Sequence, residues 1–143
     1  MKIQLKNLTK DYGSIVAVDD LNIEFDEKKI TILIGPSGCG KTTTLKMINR
    51  LIERTSGDIV FDGKSIDDMN RINLRRHIGY AIQEIGLFMH MSIFDNIAVV
   101  PRLLKWPENK VKNRVAELMD LVNLEPDEYM YKYPAQLSGG QKQ

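Results

Sequence analysis

The sequence predicts an α/β fold, on three observations. A nearly unbroken apolar, β-rich run, Ile30 through Ile34, leads directly into the glycine-rich stretch GPSGCGKTT. Beyond it Leu45, Ile48, Leu51 and Ile52 recur at helical spacing, so strand, loop and helix follow in order. From about Gly86 the apolar residues keep a helical period, which adds a helical part to the β-rich one.

Element by element, KIQLKNL alternates Ile3 and Leu5 with Lys2, Gln4 and Lys6, the period of a half-exposed strand. After a turn at DYGS, Val16, Val18, Leu21, Ile23 and Phe25 continue the strand pattern, with an interruption expected at Asp19–Asp20. The run Ile30–Ile34 reads as a strand buried on both faces of a parallel sheet. SGDIVFDGKSI predicts a small hairpin turning at Asp62–Gly63, and HIGYAIQ a short buried strand ending at Gln83. Ile93, Ile97 and Val100 predict one helix. Val111, Val115, Leu118, Met119 and Val122 predict another, which starts after Pro107. Pro126 and Pro134 punctuate an irregular approach to LSGGQ. Two parts are expected, residues 1–85 with the sheet and loop, and residues 86–143 as a helical subdomain.

Composition narrows the function. The chain has 143 residues, 43% hydrophobic and 27% charged, the make-up of an ordered domain. Twenty basic and nineteen acidic residues leave a net charge of +1, so bulk charge gives no case for nucleic acid or an anionic membrane surface. Phosphate recognition must be local. Cys39 is the only cysteine, which rules out an internal disulfide and fits a reducing compartment. The N-terminus alternates apolar and polar residues and lacks the apolar block of a signal peptide, so a soluble, cytoplasmic chain is expected.

Gly35, Gly40, Lys41 and Thr42 fall in the pattern G-x-x-x-x-G-K-[ST], between a predicted strand and a predicted helix. Glycines let the backbone wrap a diphosphate and aim N–H groups at its oxygens, while the helix start adds partial positive charge. The loop residues Gly35, Pro36, Ser37, Gly38, Cys39 and Gly40 are the expected cradle. Lys41 would place a full charge at the β- and γ-phosphates, Thr42 would bind Mg²⁺ through its hydroxyl, and Thr43 would donate to the α-phosphate. A plain strand-to-helix connection needs only one or two glycines and gives no reason for Lys-Thr. Cys39 reads as a small filler, or as a thiol activated by the helix start.

Phosphate loops serve many chemistries, so the loop names a ligand class only. LSGGQ, residues 137–141 downstream of the loop, resembles the signature of the ABC ATPases, and both motifs match without substitution. The resemblance implies a P-loop NTPase core with an N-terminal antiparallel β subdomain and part of a helical subdomain, binding ATP with Mg²⁺. It implies that Tyr12 stacks on adenine, although an isolated tyrosine more often simply packs. It makes Gln83 the glutamine that reaches Mg²⁺ and the attacking water, and a catalytic residue with Lys41. It further implies that two subunits close head to tail, with Ser138, Gly139, Gly140 and Gln141 of one capping the nucleotide held by Lys41 of the other. His77 and His90 are expected to be surface or structural residues.

Within the family, LRRHIGYAIQEIGLFMHMSIFDNIAVVPRLLKW resembles the importers of glycine betaine, carnitine, choline and related quaternary amines, departing at Met89, where proline would be expected. That implies coupling to membrane-spanning permease subunits, indirectly to an extracytoplasmic solute-binding protein, and a place on the cytoplasmic face of the membrane. Phe88, Met89 and Met91 are open to two readings, a docking surface for the permease or core packing. In the family a magnesium-binding aspartate, a catalytic glutamate and a histidine follow LSGGQ, and none can be placed here. The chain is therefore expected to be a fragment that does not turn over ATP appreciably alone, with Ile30–Ile34 at an unpaired sheet edge. The alternative is a non-hydrolysing nucleotide-binding partner of an intact ABC ATPase. A chromosome- or repair-type ATPase would need a long coiled coil between Gln83 and Leu137, and the stretch is too short.

Overall fold

The computed structural model describes residues 2–82 and 85–143. The chain divides into two compact units, Met1–Ile78 and Gly79–Gln143.

The first unit is a four-stranded antiparallel sheet in the order β2-β1-β3-β4 with two helices. Strands β1 (Ile3–Asp11) and β2 (Val16–Phe25) pair as a hairpin, Ile3 opposite Phe25 and Leu5 opposite Ile23. Asp19–Asp20 does not break β2 as the sequence suggests. The ladder is irregular there all the same: the register shifts between Leu5 and Leu8, between Leu8 and Lys10 opposite Asp19–Asp20, and between Lys10 and Asp11, with Asn7 and Asp20 at φ 49° and 43°. Asn7 Nδ2 donates to Asp20 Oδ1 at 2.7 Å and the Asn22 side chain accepts the Asn7 amide at 2.8 Å, so side chains satisfy what the irregular ladder leaves open. Strand β3 (Ser56–Phe61) pairs with β1, Leu5 opposite Ile59, and turns into β4 (Lys64–Ser65). Asp62 and Gly63 both have positive φ, as a tight two-residue hairpin requires.

Helix α1 (Lys41–Ile48) buries Thr44, Met47 and Ile48, one face at spacings of three and four. Met47 and Ile48 pack with Leu5, Leu8, Val18, Ile59 and Phe61 of the sheet. The helix stops one turn earlier than the periodicity predicts, because Arg50 turns left-handed at φ 51° and its guanidinium donates to Ile66 O and Met69 O at 2.9 and 3.1 Å. Helix α2 (Arg71–Arg76), absent from the sequence reading, starts at Asn70, whose side chain accepts the Ile72 and Asn73 amides.

Arg54 ties the far side of this unit together, donating to Gly57 O at 2.7 Å and pairing with both oxygens of Asp67. The hydrogen bond from Arg54, then its charge and those of Arg50 and Arg71, hold the Asp67 carboxyl below the usual carboxylate range. A depressed folded value means the stabilisation is present above the unfolded value, near pH 4, and lost as pH falls through the folded one. Asp67→Asn should therefore unfold this unit at a higher pH in an acid titration, with the wild type and variant curves converging at the acid end.

Two predicted strands are corrected. Residues 30–34 form no strand, with Ile30, Ile32 and Ile34 at 94%, 74% and 90% exposure. HIGYAIQ likewise forms no strand among the described residues, and Tyr80 and Ile82 are exposed. Apolar β-rich composition states a preference for burial, but a strand also needs a neighbour to bond with. Neither run enters a strand ladder among the described residues.

The second unit is helical. Helices α3 (Ile93–Leu103) and α4 (Glu108–Leu121) follow the predicted periods, and α4 buries Val111, Val115 and Met119 at successive turns. These meet Ile93, Ala98, Met130 and Leu137 in one core. Ser92 caps α3 by accepting the Asp95 amide at 3.1 Å. Arg102 bridges Asp95 and Glu108 at 2.8 and 2.7 Å, fixing the α3–α4 turn. Two short helices, α5 (Pro126–Tyr129) and α6 (Gly139–Lys142), complete the unit.

Candidate nucleotide site

The loop between residue 34 and α1 is shaped by two glycines and one lysine. Gly38 and Gly40 stand at φ +84° and +90°, a region that strongly favours glycine. A turn bond from Cys39 N to Pro36 O, 3.4 Å, closes the loop. Gly40 cannot carry a side chain for a second reason, since a Cβ there would lie 2.3 Å from Ala17 O and 3.1 Å from Val18 Cγ2. The loop is thus pressed onto β2, two residues past the Tyr12–Ile15 turn. That contact was not legible in the sequence, because nothing local marks Ala17.

Lys41 turns back over its own loop. Its ammonium donates to Gly35 O and Pro36 O, each at 2.8 Å, and lies 3.2 Å from Cys39 Sγ. The Cys39 side chain in turn occupies the space a Cβ on Gly35 would need, 2.6 Å away. A full positive charge therefore sits at the mouth of the loop on main-chain carbonyls.

The start of α1 fits an anion. Its N-cap is Gly40, no side chain caps it, and its first turn holds no acid. The orphan N–H groups and the positive end of the helix are left for something else. Thr44 spends its hydroxyl on Gly40 O at 3.0 Å, whereas Thr42, exposed, and Thr43, half-buried, keep theirs uncommitted among the described residues. No group of three or more His, Cys, Asp or Glu among the described residues forms a cation cage. A cation here would be held by the Thr42 hydroxyl together with phosphate oxygens and water, the manner in which Mg²⁺ usually binds.

Tyr12 opens the β1–β2 turn, which is closed by Tyr12 N to Ile15 O at 3.0 Å and by Asp11 Oδ1 accepting the Gly13 amide at 2.7 Å. The residue is 53% exposed, with the Lys10 ammonium 4.8 Å from its ring centroid, so the ring is presented to solvent and not packed into the core.

In the second unit, Ser138 and Gln141 serve each other. The Ser138 hydroxyl accepts the Gln141 amide at 3.3 Å and the Gln141 side chain accepts the Ser138 amide at 2.9 Å, a reciprocal cap that starts α6. Ser138→Ala should cost about 1 kcal/mol locally, read as roughly fivefold faster hydrogen exchange at the Gln141 amide. Neither Gly139 nor Gly140 has positive φ, and a Cβ on either meets open space. Phe88 and Met89 are exposed and Met91 half-buried, and none belongs to the helical core. His77 bonds Asn73 O through Nδ1 at 2.7 Å, and His90 packs edge-on to Phe88. Gln83, with Glu84, lies outside the described residues.

A glycine loop bridged by its own lysine at an uncapped helix start has the form of a phosphate loop. The chain belongs to the ABC transporter family, whose profile it matches over residues 18–143. It is 53% identical over 142 residues to the choline transport ATP-binding protein OpuBA of Bacillus subtilis, covering 99% of this chain and 37% of that one. It is 50% identical over 146 residues to the osmoprotectant import ATP-binding protein OsmV of Salmonella typhimurium, covering 99% and 38%. The chain thus spans little more than a third of the length of these relatives. Among solved structures, the dimeric ATP-binding cassette MJ0796 in a post-hydrolysis state bound to ADP and Pi superposes with a TM-score of 0.82 at 30% identity, over 98% of this chain and 65% of that one.

Proposed function

We propose that this chain forms the ATP-binding part of an importer ATPase that couples ATP binding and hydrolysis to uptake of quaternary-amine osmoprotectants. The observation that carries the nucleotide reading is the Lys41 ammonium at the mouth of a loop whose following helix starts without a cap. The solute class rests on the two relatives with about half their aligned residues in common, one named for choline and one for osmoprotectants.

In this reading the main-chain N–H groups of residues 35–40, all but Pro36, and Lys41 hold the β- and γ-phosphates, Thr43 the α-phosphate, and Tyr12 stacks on adenine. Thr42 and Gln83 would hold Mg²⁺, which when bound would neutralise phosphate charge. Two ATPase subunits close head to tail, and Ser138, Gly139, Gly140 and Gln141 of one cap the γ-phosphate held by Lys41 of its partner. The open space around Gly139 and Gly140 supports this, because nothing among the described residues of the chain itself requires glycine there. Phe88, Met89 and Met91 meet permease subunits on the cytoplasmic face, and a solute-binding protein acts indirectly. No described residue is assigned as general base, so residues 1–143 alone are expected to bind nucleotide with little turnover.

The test is uptake by liposomes carrying the full-length protein with its permease and solute-binding partners. Choline or glycine betaine should accumulate on ATP addition and sulfate should not. Uptake of sulfate, or equal uptake of both, would overturn the solute assignment.

A further inference from the structure

The loop before α3 is organised by a single side chain. Asn96, half-buried in the first turn of α3, accepts the Phe88 amide on Oδ1 at 2.7 Å. Its Nδ2 donates back to Phe88 O at 3.1 Å and is shared with Met91 O at 3.2 Å and Ser92 O at 2.9 Å. Both main-chain polar groups of Phe88 are therefore satisfied by one residue eight positions away, as a neighbouring strand would satisfy them. A turn bond from Met91 N to Phe88 O, 3.1 Å, completes the ring.

The consequence is the display of two apolar side chains. Phe88 and Met89 are 49% and 55% exposed and contribute nothing to the helical core. The His90 ring meets Phe88 edge to face, centroids 6.1 Å apart, which further restricts the Phe88 ring. A surface loop with exposed apolar tips normally loses conformational freedom when it is gripped, and that loss subtracts from affinity. Here the hydrogen bonds of Asn96 remove part of that freedom beforehand.

We propose that Asn96 is a positioning residue for transport coupling: it presets the loop at residues 88–92 so that Phe88 and Met89 dock into a permease subunit without further ordering. The inference rests on the importer reading above. The occupant is a permease segment with an apolar face, because importer ATPases of this family act with membrane permeases and the displayed side chains are a phenylalanine and an adaptable methionine. Asn96 itself need not touch the partner.

The experiment uses the full-length protein and its detergent-solubilised permease subunits, with Asn96→Ala, Phe88→Ala and the double variant. Hydrogen exchange at the Phe88 amide should quicken about tenfold or more in Asn96→Ala while the Val115 and Met119 amides keep their rates. Permease affinity should fall about tenfold for each single variant, and the double variant should lose less than the two losses combined, because both act through one loop. Asn96→Asp, which keeps the acceptor and loses the donor, should fall between wild type and Asn96→Ala in exchange rate. Faster exchange at Val115 and Met119 as well would make Asn96 a general support of the helical unit and overturn the proposal. Additive losses in the double variant would overturn it too. If Phe88→Ala binds the permease as tightly as wild type, the docking reading itself fails and takes this role with it, whatever the exchange at Phe88 reports.

Discussion

Lys41→Ala is expected to weaken Mg-ATP binding about 10- to 150-fold, the loss of one charged hydrogen-bond donor worth about 1.5–3 kcal/mol. The folded chain should scarcely notice. The two carbonyls that hold the ammonium, on Gly35 and Pro36, are exposed and return to water when it is removed. Unfolding in urea should therefore shift by no more than about 0.5 kcal/mol, the usual range for a surface change. Lys41→Arg should not restore binding, because a planar guanidinium is too large and too forked for a place where a compact ammonium meets two carbonyls and Cys39 Sγ. Calorimetry against Mg-ATP, with the urea midpoint measured on the same samples, separates the two effects.

Gly40→Val is expected to damage fold and site together. The new Cβ would lie 2.3 Å from Ala17 O at a backbone φ of +90°, a conformation from which β-branched residues are nearly excluded. Backbone strain of about 1–3 kcal/mol and overpacking of about 1–3 kcal/mol both apply, so a loss of about 3 kcal/mol or more is expected. Relief requires the loop to lift off β2, which spoils the cradle even in molecules that remain folded. Gly57→Ala is the matched comparison. Its Cβ would lie 2.2 Å from Asn7 O at φ +83°, in strand β3, which carries none of the proposed ligand groups. It should destabilise comparably while folded molecules keep their Mg-ATP affinity. Gly38→Ala, at φ +84° with open space around it, should cost only the left-handed penalty of about 1–2 kcal/mol. Urea denaturation and calorimetry on the three variants order them.

These expectations mark what sequence alone carries. The loop was legible because its chemistry is written in adjacent residues, and so was the Asp62–Gly63 turn, where two residues fix the backbone. Helix α4 was legible because Val111, Val115 and Met119 repeat on one face. The runs at residues 30–34 and 77–82 were not, because whether an apolar strand is buried depends on a neighbour that no local pattern names. Helix α2 escaped because its signal is a cap and not a period, the Asn70 side chain taking two amides ahead of a short polar helix. The contact of Gly40 with Ala17 and the grip of Asn96 on Phe88 join residues 23 and 8 positions apart, and neither pair carries a local pattern.

The most direct measurement is titration of Mg-ATP into the folded protein with inorganic pyrophosphate as competitor. A cradle of main-chain amides backed by the Lys41 ammonium predicts saturable one-to-one binding that pyrophosphate displaces and that Lys41→Ala weakens. No heat of association with folded protein, or binding indifferent both to pyrophosphate and to Lys41→Ala, would contradict it.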